Sequence, residues 1–245
     1  MELSDKTILI MGGSRGMGYE FAKLFASKGN TVIITARNEH NLVNAVKGIP
    51  NMRYIVADTD EEKDVDQVFQ HILTKYGKLD ILINNAGLAN AYDLATDTNP
   101  YAKAYGEIMT NYLSIVRNTG KFLPLLTGHP ESAIVNVSSV VAFVPSSLLP
   151  TYSASKAALH SYTQTLRYAL SKRTQIKVFE VMPPVVNTEF AKHIGGANGM
   201  SPTLVAEALF TAMSEDKFEI HVGATEAVYE QFLDSPSAAF NKKNP

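Results

Sequence analysis

Short apolar runs alternate with helix-length amphipathic segments along the chain, and this alternation restricts its fold more than any other feature. Seven runs of strand length occur, at residues 7–11, 31–36, 52–57, 79–84, 133–137, 176–182 and 218–222. The stretches TILIM and DILIN are apolar at consecutive positions, so both faces of the sheet that they form must be covered. The pattern predicts an α/β fold, a doubly wound parallel sheet of about seven strands with helices on both faces.

Length and composition narrow the class of protein. A chain of 245 residues that is 45% hydrophobic can close one large core, and we expect a single domain over residues 1–245. With 22 basic and 24 acidic residues, it lacks the one-signed charge typical of nucleic-acid or membrane-surface partners. The absence of cysteine excludes a disulfide scaffold and thiolate chemistry. No apolar run approaches the roughly 18 residues of a membrane span, and the start MELSDK is unlike a signal peptide, so we expect a cytoplasmic protein with a small-molecule partner.

A glycine-rich turn, GGSRGMG, follows the first predicted strand. Gly12, Gly16 and Gly18 leave bare backbone around Arg15, at the sheet edge where parallel α/β folds bind their ligands. Bare backbone N–H groups and the N-terminus of the next helix suit a pyrophosphate. The spacing G-x-x-x-G-x-G differs from the commoner G-x-G-x-x-G, and by itself the turn is compatible with methyltransferases, flavodoxin-like proteins or a plain tight turn.

The end of the second strand bears on which dinucleotide would bind. Enzymes that prefer NAD place an acidic residue there, whereas TVIITARN ends in Ala36 and Arg37. Arg37 and Arg15 could clamp a 2′-phosphate, which predicts NADP(H) in preference to NAD(H). The alternative is that both arginines are ordinary solvated surface groups.

Tyr152 and Lys156 are candidate catalytic residues, because a spacing of four places them on one face of a helix. A neighbouring ammonium and an oxidised nicotinamide would both favour the phenolate and lower the pKa of the phenol toward the working range of a general acid or base. Ser138 and Ser139 end the strand before this helix, where a hydroxyl could bind a substrate oxygen as it gains negative charge. A Tyr-x-x-x-Lys pair alone also occurs in many helices by amphipathic packing.

The chain resembles the single-domain branch of the short-chain dehydrogenase/reductase family over nearly its whole length. The shared motifs are GGSRGMG, NNAG at residues 84–87, Asn111 in MTNYLS, the serine strand and YSASK, in family order and spacing. The resemblance implies a Rossmann fold and oxidation or reduction at CH–OH groups with NAD(P).

The resemblance also implies roles for single residues. Tyr152 corresponds to the acid/base, and Lys156 to the residue that lowers its pKa and bonds the nicotinamide ribose. Ser139 corresponds to the substrate-orienting serine, which leaves Ser138 as its neighbour. Asn111 corresponds to the asparagine whose helix is locally interrupted to hold a water of the proton relay. The cofactor contacts implied in this way, or argued above, are Gly12, Ser14, Arg15, Gly16, Met17, Gly18, Arg37, Asp58, Thr59, Asn85, Ala86, Gly87, Tyr152, Lys156, Pro183, Val186 and Thr188.

Three departures from the family pattern stand out. Met11 replaces the usual threonine, Pro184 replaces a glycine, and residues 218–236 continue into a further helix where the family has a glycine-rich end. The last feature argues against the family's common tetramer and favours a homodimer through helices at about residues 101–126 and 151–172. These features resemble a small subgroup of bacterial oxidoreductases labelled with the D-alanylation operon of Gram-positive cell walls.

The function predicted is an NADP(H)-dependent oxidoreductase acting between a carbonyl and an alcohol. The loop VVAFVPSSLLP at residues 140–150 is mostly apolar, which favours hydrophobic ketones or aldehydes unless these residues pack internally. The alternative function is a non-enzymatic NADP(H) sensor on the same fold, although all four catalytic positions are filled. The six histidines show no ligand spacing, so no metal site is predicted, and His160 is expected to be packed.

Overall fold

The computed structural model describes residues 1–244, and a parallel sheet of seven strands forms its centre. The strands are β1 (Thr7–Met11), β2 (Thr31–Ala36), β3 (Met52–Val56), β4 (Ile81–Asn84), β5 (Ala133–Val137), β6 (Lys177–Met182) and β7 (Glu219–His221). They lie in the order β3-β2-β1-β4-β5-β6-β7, and all neighbouring pairs are parallel. The predicted single-domain, doubly wound α/β fold is confirmed.

Helices cover both faces of this sheet. They are α1 (Gly16–Ser27), α2 (Glu39–Val46), α3 (Glu62–Tyr76), α4 (Pro100–Ile108), α5 (Ser114–Leu126), α6 (Pro150–Ser171), α7 (Pro202–Ser214), α8 (Thr225–Asp234) and α9 (Pro236–Lys243). Among the helices of residues 1–244, none combines the length and hydrophobicity that crossing a membrane requires.

The consecutive apolar residues of β1 supply both layers of the core. Ile8 and Ile10 pack with Phe21 and Phe25 of α1 on one face, whereas Leu9 faces the layer that contains α3 and α5. All five side chains are inaccessible to solvent. Because side chains alternate between faces along a strand, an uninterrupted apolar strand needs this double cover.

The segment predicted as one long helix at residues 101–126 is divided by a π-helical turn. This turn, Met109–Leu113, separates α4 from α5 and contains Asn111, so the local interruption implied by the resemblance is present. A π turn widens the helix by one residue and re-aims its side chains. The C-terminal segment forms α8, as expected, and a second helix, α9, follows it.

Candidate active site

A cleft of about 540 Å³ lies at the carboxyl ends of the strands, where the order reverses between β1 and β4. The predicted cofactor residues that line it are Gly12, Ser14, Arg15, Gly16, Met17, Arg37, Asp58, Thr59, Asn85, Ala86, Gly87, Tyr152, Lys156 and Thr188. Three predicted residues, Gly18, Pro183 and Val186, do not line the cleft. Val186 is buried and forms an isolated parallel bridge with Met200.

The glycine turn has the form of an anion-binding cradle. Gly12 has φ +83°, and a Cβ there would lie 2.7 Å from the Cα of Ala86. Gly16, with φ +55°, begins α1, so bare backbone leads directly into the helix N-terminus. At Gly18 a Cβ would lie 2.2 Å from the Gly12 carbonyl oxygen, so this position admits only glycine without a shift of the backbone. It allows α1 to pack closely against the turn.

Polar atoms in the cleft also fit a nucleotide. The Asn85 amide donates to the Gly12 carbonyl at 2.6 Å, and its Oδ1 is buried with no hydrogen-bond partner in residues 1–244. Asp60 Oδ1 is likewise buried and unpartnered in the described chain, and Asp60 lines the same cleft. Buried polar atoms without partners are rare in folded proteins, so they indicate room for a polar ligand. The residues present therefore fit a dinucleotide cofactor.

Both arginines of the predicted phosphate clamp border the cleft. The Arg15 guanidinium donates to Asn41 Oδ1 at 2.8 Å. Arg37, whose side chain is 77% exposed, lies 3.8 Å from the carboxylate of Asp58. An exposed pair of this kind is weak, so the guanidinium of Arg37 can exchange partners at little cost.

Tyr152 lies in the first turn of α6 and Lys156 in the second, and both are buried. The Lys156 ammonium donates to the carbonyl of Val137, the last residue of β5, at 2.8 Å. It lies 5.7 Å from the centre of the Tyr152 ring. The predicted juxtaposition of phenol and ammonium is therefore present, and the end of β5 holds the ammonium.

The pKa values of the pair differ from the sequence expectation. Burial raises the pKa of Tyr152 well above its ordinary value, a hydrogen bond with Ser139 opposes this, and the charge of Glu107 adds to it. Burial lowers the pKa of Lys156 to about 8, and the charge of Glu180 opposes that shift. For both groups the effect of desolvation on the pKa outweighs the effects of neighbouring groups, because both are enclosed by protein.

The two serines have separate partners. The Ser138 hydroxyl donates to the buried carboxylate of Glu180 at 2.5 Å, and His160 Nδ1 binds the other oxygen of that carboxylate at 2.9 Å. The Ser139 hydroxyl accepts the N–H of Val141 at 3.3 Å, and its interaction with Tyr152 lowers the pKa of the phenol. Ser139 is thus the serine beside the phenol. His160 is packed as expected, and residues 1–244 contain no cluster of three or more His, Asp or Glu side chains suited to a metal ion.

Asn111 connects three elements. Its Oδ1 accepts the N–H of Leu88 at 2.8 Å, while its amide donates to the Leu88 carbonyl and to Ser155 Oγ, both at 2.8 Å. The π turn thereby ties the loop after β4 to α6 beside Tyr152.

Several lining residues were not anticipated from the sequence. They are Thr35, Ala57, Asp60, Leu88, Gly106, Thr110, Val137, Glu189 and Phe190. Thr35, Ala57 and Val137 lie at or next to strand ends, a position that could have identified them. Phe190 belongs to a 3₁₀ helix in the loop after β6, and the centre of its ring lies 6.2 Å from the centre of the Tyr152 ring. No local pattern indicates that contact.

The apolar loop at residues 140–150 was predicted either to contact a hydrophobic substrate or to pack internally, and its two parts differ in this respect. Val141 and Leu149 form one apolar cluster with Tyr152. Phe143 and Val144 instead pack internally, against residues of α8 and α9. Part of the loop therefore forms an apolar wall near the phenol, and the other part anchors the C-terminal helices.

Comparisons with known proteins agree with this geometry. The model of the short chain dehydrogenase family matches residues 6–198. The uncharacterized oxidoreductase DltE of Bacillus subtilis (strain 168) is 38% identical over 188 residues, which are 77% of this chain and 74% of that protein. An uncharacterized oxidoreductase of Staphylococcus saprophyticus is 28% identical over 92% of this chain and 97% of its own.

Two solved structures share the fold. A short chain dehydrogenase/reductase from Burkholderia phymatum in complex with NAD has a TM-score of 0.89 and 22% identity, covering 100% of this chain and 98% of that chain. A short chain dehydrogenase from Burkholderia cenocepacia in complex with NADP has a TM-score of 0.88 and 23% identity, covering 99% of both chains. The match of the family model over most of the chain and the 38% identity to the oxidoreductase of Bacillus subtilis identify the chain as a member of the short-chain dehydrogenase/reductase family of oxidoreductases.

Proposed function

We propose that this protein is an NADP(H)-dependent oxidoreductase that acts between carbonyl and alcohol substrates, mainly as a reductase of hydrophobic ketones or aldehydes. The observation that carries the proposal is the buried pair of Tyr152 and Lys156 beside a cleft whose residues fit a dinucleotide.

The proposed chemistry divides between the cofactor and the chain. Bound NADPH would supply the hydride that the carbonyl carbon receives. Tyr152 donates its proton to the carbonyl oxygen, and its raised pKa keeps the phenol protonated for this step. Ser139, which lies beside the phenol, hydrogen-bonds the same carbonyl oxygen as negative charge develops on it. Lys156 holds the nicotinamide ribose, and Asn111 holds a water of the proton relay, as the family resemblance implies.

The preference for NADP(H) rests on Arg15 and Arg37, which border the cleft at the end of β2. Two guanidinium groups can bind a phosphate by charge-assisted hydrogen bonds, and β2 ends without a carboxylate to repel it. We expect NADPH to bind at least about tenfold more tightly than NADH, measured by fluorescence titration. Equal constants, or tighter binding of NADH, would contradict this preference.

The substrate class rests on the apolar wall beside Tyr152. Ala89, Val141 and Leu149 are buried in its cluster, with Ile194 and Val228 packed against them. Leu88 and Phe190, which line the cleft, offer contact area to a hydrophobic body, and the buried cluster around Tyr152 adds no charge to bind an anion.

We also propose that the protein is a homodimer through α4, α5 and α6. Large aromatic side chains remain exposed on these helices, with Tyr101 77% and Tyr168 67% accessible. Light scattering at micromolar concentration tests this proposal, and a purely monomeric protein would exclude it.

The Tyr152→Phe variant tests the chemistry. It removes the proton donor and keeps the ring, so the rate of carbonyl reduction should fall by at least about 10²-fold while the Kd for NADPH stays unchanged. The assay follows NADPH absorbance over a panel of ketones and aldehydes. Tyr76→Phe, at the end of α3 and outside both the cleft and the proposed dimer helices, is the matched control. Unchanged turnover in Tyr152→Phe would dismiss the proposed mechanism.

A further inference from the structure

Glu107 in α4 is a fully buried carboxylate that the chemistry above does not use. Its Oε1 accepts the N–H of Asn90 at 2.6 Å and the side-chain amide of Asn90 at 3.1 Å. Its Oε2 accepts the hydroxyl of Thr151 at 2.5 Å, and Thr151 in turn shares a hydrogen bond of 2.8 Å with the hydroxyl of Tyr92. Every direct partner in residues 1–244 is a neutral donor, which matches an ionised carboxylate.

Asn111, one helical turn after Glu107, makes the same two connections. Glu107 joins Asn90 of the loop after β4 to Thr151 of α6, and Asn111 joins Leu88 of that loop to Ser155 of α6. Residues 107 and 111 are four apart, as are residues 151 and 155, so the two links lie one turn apart on both helices. Tyr152 directly follows the residue that Glu107 holds.

We propose that Glu107 is a positioning residue for the carbonyl reduction, one that ties the loop after β4 to the first turn of α6 and holds a buried negative charge against Thr151, the residue that precedes Tyr152. This inference rests on the proposed function. Burying a charge is costly unless it is well hydrogen-bonded, so a carboxylate at this depth requires the three donors that surround it.

The charge of Glu107 acts on the phenol of Tyr152 together with groups from other elements. Lys156 faces the phenol from α6 and Ser139 from the loop after β5, while Glu180 of β6 acts on Lys156. The charge of Glu107 favours the protonated phenol. Since reduction requires that proton, Glu107 extends proton donation to higher pH.

A lysine precedes Glu107 on the same helix. Lys103, four residues earlier on α4, pairs with Asp97 and lies 4.5 Å from the centre of the Tyr92 ring. This lysine is therefore engaged with Asp97 and is not a direct partner of Glu107.

Two substitutions separate the effect of the hydrogen bonds that link the loop to α6 from the effect of the negative charge of Glu107. In Glu107→Gln, the amide oxygen can still accept from Asn90, and the amide nitrogen can donate to the Thr151 hydroxyl, so the link is kept and the charge is lost. Glu107→Ala removes both. Glu207→Gln, at an exposed position of α7, is the matched control. If Glu107→Ala fails to fold, Glu107→Asp takes its place, because it keeps the charge and shortens the reach.

The link is measured by hydrogen exchange of peptides that span residues 88–92 and 151–155, without any substrate. In Glu107→Ala or Glu107→Asp the amide of Asn90 should exchange about tenfold faster or more, and in Glu107→Gln it should stay within about threefold of wild type. The Kd for NADPH should stay unchanged, because Glu107 does not line the cleft. Wild-type protection of Asn90 in both shortened variants would overturn the positioning role.

The effect of the Glu107 charge on the phenol is measured by the pH profile of carbonyl reduction. In Glu107→Gln the alkaline limb of kcat/KM should move to lower pH by about half a unit or more, whereas Glu107→Asp should keep it. In Glu107→Ala kcat should fall by about 10- to 100-fold, since the phenol is misplaced. An unmoved limb in Glu107→Gln would overturn the electrostatic part. If the wild-type protein reduces no carbonyl, the proposed function fails, whereas the exchange data still decide the positioning role.

Discussion

Substituting Gly18 by alanine should destabilise the protein, even though the same change favours an isolated helix. Gly18 lies in the first turn of α1, and a Cβ there would lie 2.2 Å from the Gly12 carbonyl oxygen and 2.5 Å from Asn85 Nδ2. Gly120 in α5 is the matched control, because it is exposed and a Cβ there would meet no atom within 4 Å.

The magnitude follows from two opposing terms. Replacing glycine by alanine in a helix gains about 1 kcal/mol. At Gly18 the contact must open from 2.2 Å to about 3.0 Å, and since its nearest neighbour is backbone, we take the upper end of the overpacking range, about 3 kcal/mol. The net loss in the free energy of unfolding is then about 2 kcal/mol, or about 4–8 °C in Tm for a chain of this size. Gly120→Ala should instead raise Tm by about 2–4 °C.

Urea and thermal unfolding measure both variants, and fluorescence titration measures NADPH binding. The displaced Gly12 carbonyl also accepts the Asn85 amide, so the Kd for NADPH should rise by about tenfold or more in Gly18→Ala and stay unchanged in Gly120→Ala. A Gly18→Ala protein as stable as Gly120→Ala would refute the reasoning, because the close approach of α1 to the turn would then carry no constraint.

Three further outcomes are expected. Arg37→Ala should weaken NADPH binding by about tenfold and leave NADH binding nearly unchanged by titration, because the exposed pair with Asp58 contributes little; equal losses for both nucleotides would contradict the clamp. His160→Asn should lower the free energy of unfolding in urea by about 1–3 kcal/mol at pH 6 and by less at pH 9. Burial lowers the pKa of His160, but the hydrogen bond and the charge pairing with Glu180 outweigh burial, so the pKa is raised overall. The stabilisation is therefore complete below the pKa of the unfolded state, near 6.5, and is lost as pH rises through the pKa of the folded state. A difference in stability that does not depend on pH would contradict the pairing. Asn244→Ala should cost about 1 kcal/mol and speed amide exchange at residue 147, because the Asn244 side chain accepts that N–H at 2.6 Å; unchanged exchange there would show that α9 does not hold the loop.

Features with a local cause were predictable from the sequence. Consecutive apolar residues in strand-length runs required a sheet covered on both faces, and their alternation with helices required parallel strands. The spacing of Tyr152 and Lys156 determined that they share a helix face, because the helical period is a property of neighbouring residues. The positive φ at Gly12 and Gly16 likewise follows from a turn that only glycine adopts readily.

Features that depend on long-range proximity were not predictable in this way. The pKa of Tyr152 was expected to fall because its nearest charged neighbour on the helix is Lys156, but burial by several elements raises it instead. The close approach of Gly18 to Gly12 and Asn85 was not predictable either, because sequence spacing does not bring residues 18 and 85 together.

The order of residues along this chain determined a doubly wound sheet, a ligand edge and a tyrosine–lysine pair, because each depends on contacts within a few residues or on the period of a strand or helix. The tertiary structure alone decided which buried charges surround that pair. Glu107 reaches Asn90 across 17 positions and Thr151 across 44, and the free energy of a buried charge depends on distances and enclosure that only the assembled fold defines.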